Sequence, residues 1–296
     1  MGLARLGPHA GPRRIGLGLA AVGRPGYINL GRDRDLPADR SIAALRRRSH
    51  ELLDAAYAAG MRYVDVARSY GLAEEFVAGW VAGHPDVVVG SKWGYTYTAA
   101  WRVDAPVHEA KDHSVATFER QLAETRALLG GRLDVYHIHS VTPDSPALAD
   151  AELHRRLAGL AATGVTVGLS VSGPRQADAI RAALRVEVGG EPLFRSVQAT
   201  WNRLEPSAGP ALAEAHAAGC FVIVKEAMAN GRLADHDAEA IAAVLHQPWA
   251  TVVLSGAATT AQLASNLRAL SVTQIPGVTP EPPEDYWRTR STLAWS

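Results

Sequence analysis

Cysteine occurs once in the 296 residues, as Cys220. No disulfide can form within the chain, and no cysteine-based zinc cluster can be assembled. Lysine is nearly as scarce: Lys92, Lys111 and Lys225 stand among 30 basic residues, the other 27 being arginine. A lysine kept in such a chain marks a place that needs a compact ammonium. No run of about 18 apolar residues exists to span a membrane. The opening residues, MGLARLGPHAGPRR, lack the apolar centre of a secretory signal, so a cytoplasmic location is expected. Charge of either sign is not in excess, with 30 acidic and 30 basic residues. That balance offers no bulk field to nucleic acid or an anionic lipid surface. What remains is 47 % hydrophobic and 20 % charged, the make-up of a globular chain with a large core.

Short apolar runs alternate with helical stripes along the whole chain. The runs fall at 15–19, 63–67, 87–93, 133–139, 166–171, 196–200, 221–226 and 251–256. Helical spacing falls between them, at 41–59, 73–82, 115–129, 148–162, 175–185, 207–218, 237–246 and 260–270. Gly60 and Gly130-Gly131 end two of these helices. Residues 94–113 read as a long irregular stretch, and a Pro-rich tail follows from about Ile275. Eight βα units without a linker or a composition shift predict a single (β/α)8 barrel domain over 1–296, with the tail as an addition. A doubly wound open sheet would have fewer units or a second domain.

Two motif matches fail on context. Gly16, Gly18 and Ala21 match the dinucleotide fingerprint, which requires a helix after the glycines. Here Gly23, Pro25 and Gly26 follow, and no helix can continue. The glycines serve a tight first strand and loop. His108-Glu109 with His113 resembles a zinc helix, but the spacing is i and i+5 instead of i and i+4. A solvated or substrate-facing loop is expected there, and no metal.

Reactive groups in such a barrel sit at the C-terminal ends of the strands. Those ends carry Asp65 and Tyr70, Lys92, His139, Ser170, Gln198, Lys225 with Glu226, and Ser255-Gly256. A phenol, ordinarily near pKa 10, needs a nearby ammonium to move protons close to neutrality. Lys92 would lower Tyr70, Asp65 would keep the ammonium charged and placed, and His139 would hydrogen-bond a substrate oxygen. This group suits proton transfer to a carbonyl oxygen. His137 shares the strand face of His139 and reads as packing, and Cys220 reads as structural. Trp93, Trp101 and Trp201 are candidate walls of a substrate pocket.

The runs DVARSYG (65–71), VGSKW (89–93) and LDVYHIH (133–139) resemble the aldo-keto reductases, as do GLS (168–170), Gln198 and SGAATTAQLASNL (255–267). The resemblance covers nearly the whole chain. It implies Tyr70 as proton donor, Asp65, Lys92 and His139 completing a tetrad, and a nicotinamide cofactor lying across the barrel top. The cofactor residues it implies are Ser170, Gln198, Lys225, Glu226, Ser255, Gly256, Gln262 and Asn266, with NADP(H) or NAD(H) as the cofactor. Three departures stand out. Val171 replaces an asparagine, Lys225-Glu226-Ala227-Met228 replaces a Tyr-Ser-Pro-Leu run, and Gly256, Ala258 and Gln262 stand where a base often grips the 2′-phosphate. Arg268 is the one basic residue close by.

The expected function is reduction of an aldehyde or ketone to an alcohol, or the reverse, with a small-molecule carbonyl or alcohol as partner. Two other classes stay open: a cofactor-binding regulatory barrel without turnover, and a Schiff-base lyase using Lys225. The sequence carries no signal for oligomeric state.

Overall fold

Alternate residues of a strand face opposite ways, and this chain uses the alternation to build a layered interior. The computed structural model describes residues 3–7, 9–27, 30 and 35–295. The strands are β1 (Ile15–Gly18), β2 (Tyr63–Asp65), β3 (Val88–Trp93), β4 (Tyr95–Tyr97), β5 (Glu109–Lys111), β6 (Val135–Val141), β7 (Thr166–Val171), β8 (Glu187–Val188), β9 (Glu191–Pro192), β10 (Ser196–Thr200), β11 (Phe221–Lys225) and β12 (Val252–Ser255). Eight of them close a parallel barrel in the order β1-β12-β11-β10-β7-β6-β3-β2. Helices α1 (Ile42–Ala58), α2 (Ala73–Val81), α3 (Val115–Leu129), α4 (Ala151–Ala161), α5 (Gln176–Leu184), α6 (Gly209–Ala217), α7 (Asp237–Leu245) and α8 (Thr260–Leu267) alternate with these strands, and α9 (Pro283–Ser291) follows in the tail. The fold is the (β/α)8 barrel expected from the sequence.

One end of the barrel is sealed by apolar residues. Leu6, Tyr63, Val88, Val135, Phe221, Ile223 and Val252 form a separate buried cluster there. Tyr63 reaches across the interior because Gly16 and Gly90 make room. A Cβ on Gly16 would lie 2.8 Å from the Tyr63 ring, and one on Gly90 would lie 2.2 Å from its hydroxyl. Gly16 is thus a packing glycine of β1. Two residues further along each strand, the inward positions are all polar: Asp65 after Tyr63, Lys92 after Gly90, His139 after His137, Gln198 after Ser196 and Lys225 after Ile223. The outward positions pack against the helices in the main core.

Local signals fix several helix starts. Ser41, Ser114, Asp150 and Thr259 each accept a backbone N–H of the first turn of α1, α3, α4 and α8. Two segments depart from the sequence expectation. The stretch 94–113 is not irregular throughout, since β4 and β5 pair antiparallel within it, Tyr95 against Lys111. Its two arms lie far apart in sequence, beyond the reach of short-turn rules. Within the loop after α5, β8 and β9 form a hairpin about Gly189 and Gly190, both with positive φ (64° and 82°). Among the described residues, no helix is long and apolar enough to cross a membrane.

Candidate active site

Asp65, Lys92, His139 and Gln198 end in the same layer because they occupy matching inward positions on β2, β3, β6 and β10. Lys92 is fully enclosed, and its Nζ donates to Asp65 Oδ1 and to Val66 O, the latter at 3.0 Å. Asp65 Oδ2 accepts from Gln198 Nε2 at 2.9 Å. The buried carboxylate therefore has a partner on each oxygen, which offsets its desolvation. Tyr70 follows β2 on a turn, with Lys92 Nζ 4.9 Å from its ring centre. Its ring meets His139 edge-on at 5.6 Å. Asp65, Tyr70, His139 and Gln198 all line one cleft of about 1450 Å³ including its open mouth.

The electrostatics differ from the sequence expectation at one point. Burial, followed by the Asp65 carboxylate, holds the Tyr70 phenol well above its ordinary range. The expected lowering by Lys92 does not prevail, because that ammonium is spent on Asp65. The cation acting downward on the phenol is Arg24. Arg24 is 2 % exposed, with its guanidinium carbon 5.2 Å from the Tyr70 ring centre. Its Nη1 donates to Ser69 O at 2.8 Å and to Glu109 Oε2 at 3.0 Å. The loops bearing Arg24 and Tyr70 touch at Gly23 and Gly71, where a Cβ on Gly71 would meet Gly23 O at 2.5 Å. Gly71 also has φ +61°, which suits glycine.

His139 is pushed well below its ordinary value, first by burial and then by Lys92, Lys225 and Arg24, so its imidazole is neutral. Its backbone carbonyl is held by His113 Nε2 at 2.8 Å, while His113 Nδ1 meets Ser145 Oγ at 2.8 Å. His113 thus anchors the strand end that carries His139. In the loop expected to be solvated or substrate-facing, Ala110, Lys111 and Asp112 are exposed while His108 and His113 are buried. His108 stacks flat on Trp295 at 4.1 Å, and Glu109 lines the cleft beside Arg24. Among the described residues, no cluster of three potential ligands could hold a metal.

Of the residues expected to hold a cofactor, Gln198, Lys225, Glu226, Ser255, Gly256, Gln262 and Asn266 line the same cleft. Ser255 Oγ donates to Asn266 Oδ1 at 2.6 Å. Asn266 Nδ2 donates to Asp237 at 2.8 Å, and Gln262 Nε2 donates to Asp35 at 2.6 Å. Ser170 stands outside the lining; its Oγ accepts the Ser140 N–H at 2.8 Å, and Ser140 faces the cleft.

The three tryptophans expected at the pocket do not line it. Trp93 points outward from β3, one residue past inward Lys92, and packs on Phe118 of α3 at 5.1 Å. Trp201 packs on Trp249 at 5.7 Å. Trp101 donates its indole N–H to Arg40 O at 2.8 Å. The aromatics that do face the cleft beside Tyr70 are Tyr27 and Trp295. Neither they nor Arg24 were assigned a site role from sequence, while Glu109 was read only as part of a solvated or substrate-facing loop. They lie on loops and the tail, where spacing carries no orientation; the run of glycines around Arg24 was the one available signal.

This barrel, with its four polar side chains at one mouth, agrees with an independent comparison. Residues 14–248 match the model of the aldo/keto reductase family. The chain belongs to that family. Members are carbonyl-reducing oxidoreductases that act on small molecules and generally use NAD(P)H. Among solved structures, a putative aldo-keto reductase from Pseudomonas aeruginosa is 24 % identical with TM-score 0.67, covering 87 % of this chain and 89 % of its own. An aldo-keto reductase from Bacillus halodurans, solved in holo form, is 19 % identical with TM-score 0.65, covering 94 % of this chain and 91 % of its own. At such identity these likenesses establish the fold. No curated protein matches the chain.

Proposed function

We propose that this aldo/keto reductase reduces an aldehyde or ketone to an alcohol, or runs the reverse, with Tyr70 as the proton donor and NAD(P)H as the hydride carrier. The observation that carries the reading is the convergence of Tyr70 and His139 on one cleft above the enclosed Lys92–Asp65 pair.

The cleft residues fit a nicotinamide dinucleotide. Asn230 Oδ1 is buried on the cleft wall without a hydrogen-bond partner among the described residues, an acceptor left for a ligand. Ser255, Gln262, Asn266 and Gln198 add hydroxyl and amide groups along it. These residues would hold the cofactor, which when bound supplies hydride to the carbonyl carbon. Every other step belongs to the chain. Neutral His139 donates an N–H to the carbonyl oxygen and fixes its place. Tyr70 keeps its proton at neutral pH, since burial opposes the phenolate, and yields it to the oxygen as negative charge builds there. Lys92 and Asp65 place a paired charge beneath the ring without exposing either to water. Tyr27 and Trp295 wall the side facing Tyr70 and limit the water that reaches the reacting carbonyl.

The direct test is a panel of aldehydes with NADH and with NADPH, followed by loss of reduced-nicotinamide absorbance and by binding of each cofactor to the protein alone. Turnover of at least one aldehyde with saturable cofactor binding is the expected result. Absence of binding for both cofactors would remove the reading.

A further inference from the structure

The three lysines occupy contrasting places. Lys92 is sealed beneath the site and tied to Asp65. Lys111 is exposed and donates to Ser140 O at 2.8 Å. Lys225 ends β11 and lines the cleft, with its side chain 16 % exposed. Its Nζ donates to Thr200 Oγ1 at 2.7 Å, and the Thr200 hydroxyl donates onward to Glu226 Oε2 at 3.1 Å.

The nearest carboxylate is committed elsewhere. Arg290, from α9, sends its Nε to both oxygens of Glu226 at 3.1 and 3.0 Å and its Nη2 to one of them at 2.5 Å. Lys225 Nζ stands 3.7 Å from that carboxylate, outside hydrogen-bond range. A fork-on-fork arginine pair is the stronger claim on a carboxylate. Besides that carboxylate at 3.7 Å, the ammonium of Lys225 has the Thr200 hydroxyl and the ring of Trp287 at 5.8 Å as neighbours. Burial, opposed by Glu226 and followed by the like charges of Arg290 and Lys92, pulls the amine down to about 8.

We propose that Lys225 is a nucleophilic amine that captures aldehydes entering the cleft as a reversible imine. The Nζ lone pair attacks the carbonyl carbon, and the carbonyl oxygen takes up a proton lost by nitrogen. The resulting carbinolamine expels water as the C=N bond forms. Amine and aldehyde give imine and water, so no oxidant or reductant is needed. Thr200, hydrogen-bonded to both Nζ and Glu226, is placed to pass the proton. This goes beyond the oxidoreductase reading, since capture needs neither cofactor nor turnover.

The test uses the full chain without cofactor, acetaldehyde as probe, and cyanoborohydride to fix the imine, with peptide mass spectrometry as readout. At pH 7.5, Lys225 should be ethylated about tenfold or more faster than Nα-acetyllysine, because a far larger share of the amine is neutral. No ethylation at Lys225, or a rate no faster than Nα-acetyllysine, would overturn the proposal. Arg290→Gln frees Glu226 to hold the ammonium charged and should slow labelling about threefold or more; an unchanged rate in a folded variant counts against it. Should that variant not fold, Glu226→Gln serves instead, with labelling at least as fast as wild type expected and slower labelling contrary. Tyr70→Phe should label as wild type does, which separates failure of aldehyde capture from failure of the proton-donor reading.

Discussion

The ammonium of Lys92 lies 4.9 Å from the centre of the Tyr70 ring while donating to the Asp65 carboxylate and to Val66 O. The phenol thus sits over an ion pair and not over a lone cation. The carboxylate offsets the ammonium, so burial, followed by Asp65, keeps the proton on Tyr70. An acid of this kind gives its proton only to a strong base. In the proposed reading, the alkoxide that would form as a carbonyl is reduced is such a base, which would couple proton transfer to hydride arrival.

Tyr70→Phe keeps the ring and removes the proton. With a verified aldehyde substrate, kcat should fall by about 10² or more from lost general acid catalysis. Cofactor affinity should stay close to wild type, because the ring still fills its place. Steady-state kinetics and a cofactor titration check both halves. A wild-type kcat would remove Tyr70 as the proton donor.

The Asp65–Lys92 pair should show strong coupling in stability. Lys92→Met leaves a carboxylate in the barrel interior with Gln198 as its remaining side-chain partner. Breaking a buried pair on one side costs about 3–5 kcal/mol. Adding Asp65→Asn removes the stranded charge, so the double variant should lose less than the sum of the two single losses. Urea unfolding of all four proteins measures this. Strict additivity would mean that the two charges do not share an enclosed site.

The barrel and the strand-borne residues Asp65, Lys92 and His139 were legible because they rest on strand periodicity, whereas Tyr70, on a turn, was placed by the DVARSYG motif. Period two along β2, β3 and β6 fixes Asp65, Lys92 and His139 on the inner face, and the strand ends fix their height. The same rule, applied to Trp93, would have placed it outward against α3, as the structure has it. Arg24, Tyr27 and Trp295, and the pairing of Glu109 with Arg24, escaped because loops and tails have no period. Their roles come from contacts across 45 or 85 residues, such as Arg24 to Ser69 and Arg24 to Glu109. The direction of the Tyr70 shift escaped for another reason: sequence shows that a lysine is near, but not how deeply the phenol is buried.

Coenzyme choice should be weak. In the proposed reading the segment 255–267 holds the adenosine end, where Asp35 and Asp237 face the cleft, held by Gln262 and Asn266. Arg268, the basic residue singled out there from sequence, is 72 % exposed and turned to Ser265 Oγ at 2.6 Å. A 2′-phosphate would meet carboxylates. Discrimination between NADPH and NADH should stay below about 100-fold, roughly 3 kcal/mol. Asp35→Asn should tighten NADPH by about threefold or more with little effect on NADH, and Arg268→Ala should change neither beyond about twofold. Dissociation constants decide it, and an NADPH preference of several thousand-fold would contradict this assignment.

Acid should unfold this protein through histidine before most carboxylates titrate. Burial pulls His113 to about 4 and His137 to about 3, and holds His139 well below its ordinary range. In the unfolded chain each returns to about 6.5. Above that pH both states are neutral at these positions and the stability they confer is fully present. As pH falls below 6.5 the unfolded chain takes up protons that the native state refuses, so stability is lost down through the folded values. Each such proton contributes about 1.4 kcal/mol per pH unit, and three together give about 4 kcal/mol per unit near pH 5. Urea unfolding between pH 8 and pH 4.5 should be flat at the upper end and steep at the lower. His113→Gln retains a donor for His139 O and an acceptor for Ser145 while removing one titration, so its slope near pH 5 should fall by about 1.4 kcal/mol per unit. An unaltered slope in that variant, or a wild-type slope near zero at pH 5, would show that these imidazoles titrate in the folded protein much as they do in water.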